Sequence, residues 1–93
     1  MVDVDELLRA LGHPARREIL RRCGSAPQAA GALADALGLA PASTSEHLKV
    51  LRKTGLLILE KQGTFRWYRT DPAQLTTLHA WLGGFISDLG DIS

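Results

Sequence analysis

The chain has a single cysteine, Cys23, in 93 residues, so it closes no internal disulfide and fits a reducing, cytoplasmic compartment. No apolar run approaches the ~20 residues that cross a bilayer, and no membrane span is expected. The acidic, polar N-terminus resembles no signal peptide. There is no glycine-rich phosphate loop, no Cys/His or Ser/His/Asp set with a plausible pocket, and no pair of carboxylates in an apolar setting. Enzymatic chemistry is therefore not expected. Internal repeats and low-complexity segments are also missing. What is present is an ordinary 45% apolar content, enough for one domain over residues 1–93. A chain this short buries somewhat over ~60% of its unfolded surface when alone.

Net charge is only +1, but it is unevenly distributed. All eleven Lys and Arg lie between Arg9 and Arg69, opposed there by Glu18, Asp35, Glu46 and Glu60. The ends carry Asp3, Asp5, Glu6, Asp71, Asp88 and Asp91 without a basic residue. A basic middle suggests one surface that meets phosphate; a solvated mixed-charge surface is the plainer alternative.

Apolar residues at 4, 7, 8 and 11 give an amphipathic helix over about 4–11. Pro14 starts a second helix, to Cys23, with Ala15, Ile19, Leu20 and Cys23 inward and Arg16, Arg17, Arg21 and Arg22 outward. Gly24-Ser25-Ala26-Pro27 reads as a break, and Gln28 to Leu37 as a third helix stopped by Gly38. A fourth helix runs from Pro41 toward Gly55. Two helices joined across Gly38-Leu39-Ala40 form a helix-turn-helix pattern. In the second of them Leu48 and Leu51 recur at helical spacing, with Thr44 one turn earlier on the same side. Its first turn offers small or polar Ala42, Ser43, Ser45 and Glu46, slim enough for a major groove. Leu56–Leu59 and Phe65–Thr70 flank a Gln62-Gly63-Thr64 turn, which reads as a β-hairpin. A hairpin directly after a recognition helix is a wing, with Lys61, Gln62, Thr64 and Arg66 at its tip for backbone phosphates or the minor groove. Asp71 caps a last helix, about 72–89, starting at Pro72. Its stripe of Leu75, Leu78, Leu82, Phe85 and Leu89, widened by Trp81 and Ile86, is too wide for so small a core to cover, which points to dimerisation. Folding back on its own domain is the alternative. The fold class is mainly α with a small β-hairpin (α+β), a winged helix-turn-helix.

The ordered set of motifs resembles the ArsR/SmtB-type bacterial repressors over nearly the whole chain. It rests on Leu11-Gly12-His13-Pro14-Ala15-Arg16-Arg17-Glu18-Ile19-Leu20, on Ala34-Asp35-Ala36-Leu37-Gly38-Leu39, on Ser45 to Leu56, and on Trp67-Tyr68-Arg69. The resemblance implies a homodimer built from the first and last helices through Leu7, Leu8, Leu11, Leu75, Leu78, Trp81, Leu82, Phe85, Ile86 and Leu89. It implies double-stranded operator DNA with inverted half-sites ~34 Å apart. The positions matching the family's reading face are Ala42, Ser43, Thr44, Ser45 and Glu46, followed by His47; Pro41, Lys49, Arg52 and the wing residues Lys61, Gln62, Thr64 and Arg66 complete the expected DNA-binding set. Glu46 and Ala40 depart from the family pattern, where a basic or polar residue and a serine N-cap are usual.

Metal-sensing members use cysteine pairs near the recognition region or Asp/His/Glu sets on the last helix. Gln28 to Leu51 holds no cysteine, and the last helix offers only His79, with Asp88 nine residues on. A tetrahedral site would need residues of a second copy, so neither metal nor cofactor is expected. Cys23, without a resolving cysteine, reads as a small core hydrophobe rather than a redox switch. A metal- or redox-responsive repressor and a winged helix used for protein contact remain the alternatives.

Overall fold

The computed structural model describes residues 3–90. Asp91 of the acidic C-terminal end lies outside the described residues. The element order is α1 (Val4–Leu11), α2 (Pro14–Ser25), α3 (Ala30–Leu37), α4 (Pro41–Lys53), β1 (Leu57–Gln62), β2 (Phe65–Thr70) and α5 (Ala73–Asp88). Five helices and one antiparallel hairpin make a winged helix-turn-helix, as the sequence implies.

Local chemistry accounts for most boundaries. The Asp3 carboxylate accepts from the Glu6 N–H and caps α1. Gly38 and Gly55 follow α3 and α4 with left-handed φ of 65° and 79°. Behind each, the next residue's N–H returns to a carbonyl in the last turn, Leu39 to Ala34 and Leu56 to Leu51. Two stops of the same kind thus lie on either side of α4.

Several boundaries differ from expectation. The first strand starts at Leu57 and runs on through Gln62, which was expected in the turn. The second helix continues through Gly24 and Ser25. It breaks at Ala26, whose extended backbone (φ −163°) is what a residue before proline adopts. Gln28 is not helical: its N–H and C=O pair with Tyr68 across the outer edge of β2, at 2.8–2.9 Å. The last helix begins one residue later than expected, at Ala73, although Asp71 still accepts from the Ala73 N–H.

The core gathers Leu7 and Ala10 of α1, Ile19, Leu20 and Cys23 of α2, Leu33, Leu48, Leu51, Leu56, Leu57, Tyr68 and Leu78. Each element donates one face, and the hairpin donates alternate residues. Leu57 and Tyr68 point in, with half-buried Leu59 between them. The expectation that α5 lies in a dimer contact along its whole stripe is corrected at one end. Leu78 is buried in the protomer's own core and Leu75 packs against it, while every residue from His79 to Gly90 is exposed. Leu7, likewise expected at a dimer contact, is 1% exposed within the core, and Leu11 packs against it. Leu8 remains outside. Among the described residues no helix is long and apolar enough to cross a membrane.

Candidate nucleic-acid interface

The reading turn of α4 stands in relief because its opposite face is locked. Thr44, Leu48 and Leu51 are buried, whereas Pro41, Ala42, Ser43, Ser45 and Glu46 are exposed. Thr44 must be removed from the expected reading face. It is 1% exposed, and its hydroxyl donates to the Ala40 carbonyl. Helical period decides the matter, since position 44 lies one turn before Leu48 on the inward side. Ala40 brings no side-chain cap, so the first N–H groups of α4 keep their donor capacity for an anion.

His47 is only partly exposed, and its Nδ1 accepts from the Arg16 Nε at 3.1 Å. A neutral imidazole that accepts at Nδ1 carries its proton at Nε2, which makes that nitrogen a donor for phosphate oxygen. His13 lies beside it, ring centroids 5.9 Å apart. Burial, then the positive charges of Arg16 and His13, hold the His47 pKa below the ordinary value; Glu46 opposes them. Lys49 and Arg52 lie exposed further along α4.

On the hairpin, Lys61 faces Arg66 directly across the ladder, just before the two-residue Gly63-Thr64 turn. Like charges placed opposite each other destabilise a hairpin, and a phosphate between them would relieve that. Thr64 is exposed in the turn, and Gln62, also exposed, lies on the opposite face, paired with Phe65. On the other face, Glu60 pairs with Arg69 at 2.8 Å, and Phe65 stacks on Trp67. Phe65 is 65% exposed and was missed by sequence reasoning, which looked for charge at the tip. Arg16 was missed too, because its contact with His47 spans 31 residues.

Cys23 is buried, and desolvation pushes its thiol up to about 11. It is a thiol inside the core, far from the thiolate character that redox chemistry uses. Among the described residues, no three or more His, Cys, Asp or Glu gather closely enough to hold a metal ion.

A slim helix turn held in relief and followed by a basic-tipped wing defines a winged helix-turn-helix protein of the DNA-binding class. A family model described as a helix-turn-helix domain matches residues 11–60. The HTH-type transcriptional regulator Rv2034 of Mycobacterium tuberculosis is 37% identical over 81 residues, spanning 87% of this chain and 76% of that protein. An ArsR-like transcriptional regulator from Rhodococcus sp. RHA1 superposes with a TM-score of 0.84 at 29% identity, over 92% of this chain and 81% of that one. The homodimeric winged helix-turn-helix DNA-binding domain of Mb0332 from Mycobacterium bovis, a possible ArsR-family regulator, gives 0.71 at 27% identity, over 95% and 81%. The chain belongs to the ArsR family of transcriptional regulators, and its relatives are regulators rather than enzymes.

Proposed function

We propose that the protein is a homodimeric, cytoplasmic repressor that binds an inverted-repeat operator without a metal. The observation that carries this reading is the division of α4 between a locked inner face and the exposed turn of Ser43, Ser45 and Glu46. Serine hydroxyls donate to or accept from base edges, and Glu46 can accept from a cytosine amino group. Pro41 and Ala42 keep that turn slim. His47, Lys49, Arg52, Lys61, Gln62, Thr64 and Arg66 then position the protein on phosphate.

Dimerisation is supported by the exposed apolar strip Leu8, Trp81, Leu82, Phe85, Ile86 and Leu89, which a lone protomer leaves in water. The homodimeric state named for the Mycobacterium bovis relative points the same way. A dimer so built places two reading turns on successive grooves, about 34 Å apart, and covers DNA that polymerase needs. Independence from metal is supported by α5 itself. His79 and Asp88 lie nine residues apart, about 13 Å along one helix, and do not converge within a chain.

Ser43→Ala or Ser45→Ala is expected to weaken binding to operator DNA by about 1–3 kcal/mol while leaving random duplex unaffected. Titration by fluorescence anisotropy at several salt concentrations checks this, with EDTA expected to change nothing. Equal losses on both duplexes would reduce the serines to phosphate contacts. No duplex affinity even at low salt would replace the reading with one of protein contact.

A further inference from the structure

A cleft of about 300 Å³ opens between α1, the first turn of α2 and the C-terminal half of α4. Arg9, Arg16 and Lys53 line it beside Ala10 and Val50, with Glu6 its single carboxylate. Among the described residues none of these three cations forms an ion pair; Glu18 serves Arg21 and Arg22, and Glu60 serves Arg69. Three like charges around a partly apolar hollow repel one another. An anion there relieves the repulsion and accepts charge-assisted hydrogen bonds. We propose that this cleft binds a small organic anion, a carboxylate or phosphate on a short apolar body, as the effector of the regulator.

Duplex DNA is a poor occupant. Lys53 lies ten residues beyond Ser43, about 15 Å along α4 from the reading turn, and so small a hollow does not admit a convex phosphate backbone. The proposed dimer does not close the cleft either. At 100° per residue, Glu6 and Ala10 each sit about 200° around α1 from Leu8, so a partner covering Leu8 leaves their side open.

Arg16 supplies the link to DNA reading. It lines the cleft and also donates to His47 Nδ1, one residue past Glu46. An anion that draws the guanidinium toward itself removes that donor and frees His47 at the edge of the reading turn. The effector role rests on the proposed DNA reading; occupancy of the cleft does not.

The test is calorimetry of the full chain, without DNA, against benzoate and phenyl phosphate at matched ionic strength, with benzyl alcohol as the neutral control. Saturable binding of an anion and none of the alcohol is expected. Arg9→Gln combined with Lys53→Gln should weaken it by about tenfold or more, since two charge-assisted contacts go, while operator affinity without anion holds. Amide shifts centred on Ala10 and Val50 during titration of the unaltered protein locate the site even if the double variant misfolds. Saturating anion should then loosen operator binding. Absence of saturable binding, shifts centred elsewhere, or undiminished anion affinity in the double variant would overturn the site. Loss of operator affinity in the anion-free variant would reassign the cleft to DNA and overturn it too. A protein that titrates at Ala10 and Val50 yet binds no duplex keeps the site and loses only the effector role.

Discussion

His47 joins the interior to the reading surface through one side chain. Its folded pKa lies below 6.5, by burial first and then by Arg16 and His13, with Glu46 acting against them. As pH falls through that value the unfolded chain takes up a proton before the folded chain does, so stability declines on the acid side and is whole above it. Denaturant midpoints taken between about pH 7.5 and 5.5 should show this slope, and His47→Gln should flatten it. An unchanged slope in the variant would assign it to other groups. Thr44 carries a second lesson at this scale. Its side-chain chemistry suits a base edge, but the spacing to Leu48 and Leu51 already placed it inward, and the spacing prevailed.

At the level of elements, glycine and proline punctuation carried most of the legible signal, because those residues restrict or release the backbone locally. Gly38 is the clearest case. Gly38→Ala forces a side chain into the left-handed region and should cost about 1–2 kcal/mol in urea unfolding. Gly31 lies inside α3, where an added methyl would meet open space, and it gives the opposite sign: Gly31→Ala should add about 0.5–1 kcal/mol. If both variants lose stability equally, the left-handed stop is not what sets the turn. Gln28 was illegible for a different reason. Its alanine-rich surroundings favour helix, and its bridge partner, Tyr68, is brought alongside only by the folded chain. The Arg16–His47 contact escaped sequence reading in the same way.

The molecule as a whole measures 52 × 25 × 21 Å, with a radius of gyration of 15.0 Å. A compact chain of this length would have about 12 Å; α5, exposed from His79 onward, and the exposed tip of the hairpin both stand out from the core. The apolar period of α5 was visible in sequence, but where the stripe passes from core to surface was not, since leucine serves both equally well. Trp81→Ala together with Leu82→Ala should therefore shift the protein toward monomer with its fold intact, read by sedimentation velocity beside circular dichroism. A double variant that still sediments as a dimer at low micromolar concentration would place the contact elsewhere.

The main-chain bridge from Gln28 to Tyr68 fastens the approach to α3 onto the outer strand of the hairpin. The two parts proposed to touch DNA therefore share one frame, and their separation is a fixed length. Inserting a base pair between the segments they contact would have to be absorbed by bending the duplex, so the spacing tolerance of an operator becomes a measure of DNA stiffness rather than of protein flexibility.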